Sequence, residues 1–195
     1  MPQQSEEYVG VKFKTIFSGD FLPTKKEKKE IKKIIRIGKI FSKMGFRDKN
    51  GGNFSFRSKG GMIIKTTGSL LDQLKISDFI LVKKILRNKI WVKGKKEPSS
   101  EARFHWFIYQ ARKDIQNVLH VHDYLVAKSS QKIKVIGYVP AQPYGTLKLA
   151  RAVKKKAKNF NYIVLKNHGV IALTKKIEES FFLIKKYHEK FKKIT

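Results

Sequence analysis

Two histidines that alternate with apolar residues are the part of this sequence best suited to chemistry. They lie in the segment Val118–Asp123, whose alternation is typical of a β-strand. Successive side chains of a strand point to opposite faces, so we expect His120 and His122 to project from one face, about 7 Å apart. A third histidine, His168, follows another apolar run at 162–166. Our hypothesis is a metal site of three histidines, with a carboxylate supplied by an earlier segment.

The composition limits which metal such a site would hold. The chain of 195 residues has no cysteine, which excludes disulfides, thiolate metal sites and a cysteine nucleophile. Histidine and carboxylate remain as ligands, and they suit zinc or another divalent transition metal. No stretch reaches the ~18 apolar residues of a membrane helix, and the first residues are unlike a secretory signal. We therefore expect a cytoplasmic protein without a membrane partner.

The charge of the chain is strongly basic. Lys and Arg number 44 against 15 Asp and Glu, a net charge of +29. Such a balance predicts attraction to polyanions, but no recognised nucleic-acid motif accompanies it. We interpret most of this charge as solvated surface and do not expect a nucleic-acid partner; steering of a phosphorylated substrate stays open. The basic clusters are spread along the chain, at Lys25–Lys33, Lys83–Lys96, Lys154–Lys158 and Lys185–Lys193.

Strands and helices alternate irregularly along the chain and must position the histidines. Thr24 and Glu27 form a capping-box pattern that predicts a helix over 24–44. Hairpins and alternating runs predict a mixed, mainly antiparallel sheet covered by helices. We expect one domain over 24–195, preceded by an N-terminal extension over 1–23. Strands are predicted at 54–57, 62–65, 79–82, 89–92, 118–123, near 135, at 162–166 and at 170–173, and further helices at 101–112, from 146, and at 177–193.

Glu101 stands at a predicted helix start, directly after Ser99 and Ser100. A carboxylate beside a metal can transfer a proton, and free N–H groups at a helix start can receive phosphate. Each residue also has an ordinary structural interpretation. The histidines could be a hydrogen-bonded core pair, a serine could be only an N-cap, and Glu101 could only favour the helix dipole.

Three other residues stay outside this predicted ligand set. His105 lies among aromatic residues within a predicted helix, and we interpret it as structural. His188 lies on the last helix, where we expect packing or exposure. Asp123 follows the histidine strand, either as a turn residue or as a partner that orients a ligand histidine.

Five motifs occur in an order that resembles the class II aldolase/adducin family, and within it the sugar-phosphate aldolases most closely. The motifs are Gly52–Arg57, Gly61–Gly68, Ser99–His105, His120–His122 and Asn167–Gly169. Each motif alone is weak, and five in order are a specific match. The resemblance covers about residues 31 to 184.

The resemblance implies a fold, a cofactor and residue roles. The fold would be an α/β protein, a three-layer α/β/α sandwich around a central mixed sheet. The family is usually a zinc-dependent cyclic homotetramer with active sites at subunit boundaries. His120, His122 and His168 match the metal ligands, and Glu101 matches the catalytic acid/base. The positions that hold the substrate phosphate are matched by Asn53, Thr67, Gly68, Ser99 and Ser100.

The expected function is that of a metal-dependent aldolase, a lyase of carbohydrate metabolism. It would cleave a phosphorylated ketose to dihydroxyacetone phosphate and an aldehyde through a metal-stabilised enediolate. The alternatives are a dehydratase of methylthioribulose 1-phosphate, an epimerase of ribulose 5-phosphate, which is less expected, and a non-catalytic adducin-like binding protein. Retention of all three histidines counts against the last.

Two features depart from the sugar-phosphate aldolases. The segment 127–142 is short, and no position matches the tyrosine that acts on the aldehyde in those enzymes. Tyr138 and Tyr144 are the candidates to replace it. The sequence also ends soon after the last predicted helix, so we expect the tail that completes a neighbouring site to be truncated.

Overall fold

A nine-stranded sheet forms the centre of the protein, whose computed structural model describes residues 12–46, 51–129 and 136–193. The strands are β1 (Lys14–Phe17), β2 (Asn53–Ser58), β3 (Gly61–Lys65), β4 (Phe79–Leu86), β5 (Lys89–Lys93), β6 (Asn117–Val121), β7 (Gly137–Val139), β8 (Tyr162–Leu165) and β9 (Gly169–Thr174). The α-helices are α1 (Lys25–Lys43), α2 (Ala102–Ala111), α3 (Tyr124–Ser129), α4 (Leu147–Ala157) and α5 (Ile177–Lys192), and a 3₁₀ turn spans Ile76–Asp78.

The strand order places the predicted histidine strand in the middle of the sheet. The order is β1-β5-β4-β3-β2-β6-β9-β8-β7. β1 runs parallel to β5 and β7 parallel to β8, and the other neighbours are antiparallel. The predicted mixed, mainly antiparallel sheet is confirmed.

The two faces of the sheet support separate cores. Leu119 and Val121 of β6 belong to the core that α1, α3 and α5 cover, whereas Val118 belongs to the core that α2 and α4 cover. This alternation follows from the two-residue period of a strand. The three-layer α/β/α sandwich is therefore confirmed, and His120, two residues after Val118, faces the α2 side.

The first helix forms as its sequence predicts. The hydroxyl of Thr24 accepts from the Glu27 N–H at 3.3 Å, and the Glu27 carboxylate accepts from the Thr24 N–H at 2.8 Å. The buried side includes Ile31, Ile34 and Phe41. Helical spacing of apolar residues and the reciprocal cap thus fix both the start and the inward face of α1.

Some predicted elements differ in the structure. β6 ends at Val121, so His122 lies one residue beyond the strand. Residues 124–129, for which no helix was predicted, form α3. Its first turn is stabilised by a hydrogen bond from the Val126 N–H to the Asp123 carboxylate at 3.3 Å. Lys14–Phe17 is an edge strand of the sheet, and the boundary at residue 23 stays a prediction. The strand predicted near 135 lies outside the described residues.

Candidate metal centre

One buried polar cluster brings together four segments that are far apart in the sequence. Glu101, His120, His122 and His168 each present a potential ligand atom, and these atoms lie within 4.8 Å of one another. Glu101 precedes α2, His120 lies in β6, His122 follows β6, and His168 lies between β8 and β9. The sheet order creates this meeting point, because β9 pairs directly with β6.

The turn between β8 and β9 allows His168 to approach β6. Asn167 has a positive φ of 58°, a conformation that asparagine tolerates better than most residues. A Cβ atom on Gly169 would lie 2.3 Å from the Val121 carbonyl oxygen and 3.0 Å from Cε1 of His120. Any larger residue at 169 would push β9 away from β6, so glycine permits the close approach.

The orientation of His120 follows from its backbone partner. Its Nδ1 lies 2.9 Å from the carbonyl oxygen of Val170 and must donate, since a carbonyl oxygen only accepts. Nε2 of the neutral ring is then unprotonated, and it lies 3.2 Å from Oε2 of Glu101. A hydrogen bond from the far ring nitrogen is the usual way in which metal-binding histidines are oriented.

Burial keeps the imidazoles of His120 and His122 uncharged. It lowers the pKa of both His120 and His122 well below the ordinary value, and the neighbouring His168 lowers the pKa of each further. Neutral rings at pH 7 have a free lone pair, which is the form of histidine that binds a metal.

The cluster has unsatisfied atoms that suit a divalent cation. Within the described residues, each member has one buried atom without a hydrogen-bond partner: Glu101 Oε1, His120 Nε2, His122 Nδ1 and His168 Nδ1. Each such atom costs roughly 1–3 kcal/mol when it stays unsatisfied. Three imidazoles and a carboxylate fit zinc or another divalent transition metal.

The family is decided by a match over most of the chain. The family model described as "Class II Aldolase and Adducin N-terminal domain" matches residues 32–193. The chain belongs to the class II aldolase and adducin family.

Two similar proteins from different organisms share one name. The L-fuculose phosphate aldolase of Methanocaldococcus jannaschii is 31% identical over 157 residues, which are 73% of this chain and 83% of that protein. The L-fuculose phosphate aldolase of Escherichia coli is 32% identical over 157 residues, 73% of this chain and 71% of that one. The structure of the L-fuculose-1-phosphate aldolase of Thermus thermophilus aligns with a TM-score of 0.74 at 18% identity, over 86% of this chain and 93% of that one. This last likeness concerns the fold.

Two loops of this class II aldolase-family chain bring together four of the residues predicted to hold phosphate. Thr67 N–H donates to the Glu97 carbonyl at 3.1 Å, and Ser99 N–H donates to the Lys65 carbonyl at 3.1 Å. The turn with Thr67 and Gly68 therefore lies beside the segment with Ser99 and Ser100. The fifth residue, Asn53, begins β2 and donates to Oε2 of Glu101 at 2.8 Å.

The N–H groups at the start of α2 are partly occupied. Glu101 N–H donates to the Ser99 hydroxyl at 3.3 Å, and Ala102 N–H donates to the Ser99 carbonyl at 2.9 Å. Both groups therefore have partners in this structure, and phosphate binding at this helix start stays a prediction.

Lys65 is a buried lysine beside the predicted phosphate loops, and no role was predicted for it. Its side chain is 2% exposed, and Nζ donates to the carbonyl oxygens of Ser69 at 2.6 Å and Thr66 at 3.3 Å. No carboxylate of the described residues lies within ion-pair distance of Nζ. Burial lowers the pKa of Lys65 to about 8. Its position in the apolar run Ile63–Lys65 was the signal that could have separated it from the other lysines.

The three residues left outside the ligand set have definite partners. His105 is fully buried and contacts Asn53, which itself contacts Glu101. Asp123 contacts His188, with 3.0 Å between Oδ2 and Nδ1, and therefore joins α5 to the end of β6. The Asp123 carboxylate also accepts from the Val126 N–H at the start of α3, which agrees with the interpretation of Asp123 as a turn residue.

The candidate tyrosines lie in different surroundings. Tyr138 of β7 packs against the core beneath α1, α3 and α5. Lys12 places its ammonium 4.4 Å from the ring centroid of Tyr144. A third tyrosine, Tyr124, lies edge-on to the ring of His122 with 5.9 Å between centroids, and the sequence analysis did not single it out. α3 places Tyr124 there, and that helix was not predicted.

Proposed function

We propose that this protein is a metal-dependent aldolase that cleaves a phosphorylated ketose to dihydroxyacetone phosphate and an aldehyde. The observation that carries the proposal is the cluster of Glu101, His120, His122 and His168, in which each residue has a buried atom without a hydrogen-bond partner. Membership of the class II aldolase and adducin family supports the reaction class.

The proposed roles divide between the cluster and the two loops. His120, His122 and His168 would hold zinc or another divalent metal, which supplies polarisation of the ketone and stabilises the negative charge of the enediolate. Glu101 is 4% exposed and lies 3.2 Å from His120 Nε2 and 3.4 Å from His168 Nε2. A carboxylate held at this point is suited to move a proton between carbon and oxygen of the substrate.

The phosphate would lie between the loops. Thr67, Gly68, Ser99 and Ser100 are the proposed contacts, and the second N–H of the Asn53 amide is a further donor. The buried ammonium of Lys65, beneath the turn that contains Thr67 and Gly68, adds positive charge where a dianion is expected. L-fuculose 1-phosphate is the first substrate to test, because the relatives above are named for it. A homotetramer in the cytoplasm is the proposed assembly and location.

The first experiment combines metal analysis with an assay of aldol cleavage on L-fuculose 1-phosphate and related ketose phosphates. Purified wild type should hold about one divalent metal per chain. Glu101→Gln should retain the metal and lose turnover, because the proton-transfer group is gone. Asp114→Asn is the matched control, since this carboxylate pairs with Arg112 beyond the far end of α2.

The outcomes separate the possible functions. A wild-type protein that binds no divalent metal would refute the proposal. A protein that binds metal, cleaves no ketose phosphate and dehydrates methylthioribulose 1-phosphate would be the dehydratase alternative. Metal binding without any turnover would favour a binding protein.

A further inference from the structure

A row of buried polar side chains lies behind Glu101. Asn53 donates to Glu101 Oε2 at 2.8 Å, and the amide oxygen of Asn53 contacts Nε2 of His105. Ser55 Oγ lies 2.7 Å from His105 Nδ1 and 2.9 Å from the Tyr109 hydroxyl. All five residues are buried. We call Glu101, Asn53, His105, Ser55 and Tyr109 the α2–β2 row.

The row follows from the periods of a helix and a strand. Glu101, His105 and Tyr109 are four residues apart, so they lie on one face of α2 and the residue before it. Asn53 and Ser55 are two residues apart, so they lie on one face of β2. Each link of the row therefore crosses from one element to the other.

The donor and acceptor of each hydrogen bond in the row can be assigned in turn, starting from the Glu101 carboxylate. An ionised carboxylate only accepts, so Asn53 turns its NH₂ group towards Glu101 and leaves its oxygen for His105. His105 Nε2 must then carry a hydrogen. Burial lowers the pKa of His105 to about 3, so the ring is neutral at pH 7 and its Nδ1 accepts. Ser55 donates to Nδ1. The Tyr109 hydroxyl then donates to Ser55 at 2.9 Å, because its other acceptor, the Gln116 carbonyl oxygen, is farther away at 3.4 Å.

We propose that His105 is a positioning residue that holds the Glu101 carboxylate in place through Asn53. All donors of the row point towards Glu101, and hydrogen bonds aligned in one direction polarise one another. The row thus fixes the carboxylate towards the three histidines. The expected effect of His105 on kcat rests on the proposed function, whereas the direction of the hydrogen bonds in the row does not.

NMR of the zinc-loaded protein with ¹⁵N-labelled histidine tests the direction. The chain has 5 histidines, and the spectrum of His105→Gln identifies the signals of His105 by their loss. We expect His105 to be neutral at pH 7, protonated at Nε2 and bare at Nδ1. A cationic ring or the Nδ1-protonated form would overturn the proposal.

A double-mutant cycle tests the link to Glu101. Glu101→Gln removes the negative charge and should move the Nε2–H signal of His105 to higher field. Asn53→Ala cuts the row, so the same Glu101→Gln change made in that background should leave the His105 signal in place. An equal shift in both backgrounds would show an effect through space and would overturn the coupling through Asn53.

The kinetic test compares two substitutions at one position. His105→Leu removes the donor to Asn53, and kcat should fall about 100-fold, as it does when a group is misplaced by about 1 Å. His105→Gln keeps an N–H donor, and kcat should stay within about threefold of wild type, with KM similar in both variants. Tyr162→Phe is the control, because the hydroxyl of Tyr162 is buried and has no partner among the described residues.

The outcomes distinguish the positioning role of His105 from the proposed function. Equal losses of kcat in the Leu and Gln variants, both folded, would refute a positioning role. A wild type without cleavage activity would refute the proposed function alone. The NMR experiments would still test the direction of the hydrogen bonds in the α2–β2 row and their coupling to Glu101.

Discussion

Replacement of Gly169 by alanine tests whether contact between β6 and β9 shapes the metal centre. An added Cβ would lie 2.3 Å from the Val121 carbonyl oxygen, 3.0 Å from Cε1 of His120 and 3.1 Å from Cα of His122. The first and third atoms belong to the backbone and cannot rotate away. Because van der Waals contact lies near 3.5 Å, β9 must move from β6 by about 1 Å.

That shift should weaken the metal site. β9 carries Val170, whose carbonyl oxygen accepts from His120 Nδ1 and orients the ring. Loss of a partner that orients a ligand typically reduces metal affinity by about 10–100-fold. The overpacking should also lower the free energy of unfolding by about 1–3 kcal/mol.

The assay is competition for zinc with a chromophoric chelator, together with urea unfolding of the metal-free protein. Gly45→Ala is the matched control, because Gly45 has a positive φ of 79° and a Cβ there meets no atom within 4 Å. It should lose about 1–2 kcal/mol from backbone strain and retain its zinc affinity. Zinc affinity of Gly169→Ala within twofold of wild type would refute the reasoning.

Two further predictions concern buried titratable groups. Burial lowers the pKa of Lys65 from 10.5 to about 8, so the buried ammonium costs stability below pH 8, and this cost disappears as the pH rises towards 10.5. Lys65→Met should therefore raise the free energy of unfolding at pH 7 by about 1–2 kcal/mol, after a deduction for the carbonyl groups that lose their donor. Burial lowers the pKa of His105 from 6.5 to about 3. Between these two values His105 takes up a proton in the unfolded chain but not in the folded protein, so the free energy of unfolding decreases as the pH falls below 6.5. Relative to His105→Gln, metal-free wild type should lose about 2 kcal/mol between pH 6.5 and pH 5.

Urea unfolding at several pH values measures both effects. A Lys65→Met variant less stable than wild type at pH 7 would show that the lost hydrogen bonds outweigh the cost of the buried charge. Parallel pH curves for wild type and His105→Gln would show that His105 is not buried as a neutral ring.

Local patterns in the sequence determined much of the fold. The capping box of Thr24 and Glu27 predicted where α1 begins, since its two hydrogen bonds involve residues three apart. The alternation around His120 predicted a strand, and the hairpins and alternating runs predicted the mixed sheet. The sequence predicted which residues form the candidate site, because the three histidines and Glu101 lie in recognisable motifs.

Tertiary structure decided the remainder, because burial and partners depend on segments distant in the sequence. His105 was interpreted as structural, and only the packing of α2 against β2 places it between Asn53 and Ser55. Lys65 resembled many other lysines until the loops covered it. The strand order alone brings His168 against His120, and the space available at Gly169 is set by the backbone of β6. The sequence thus determined which groups are present, whereas packing between distant elements decided which are buried, which are neutral and which act together.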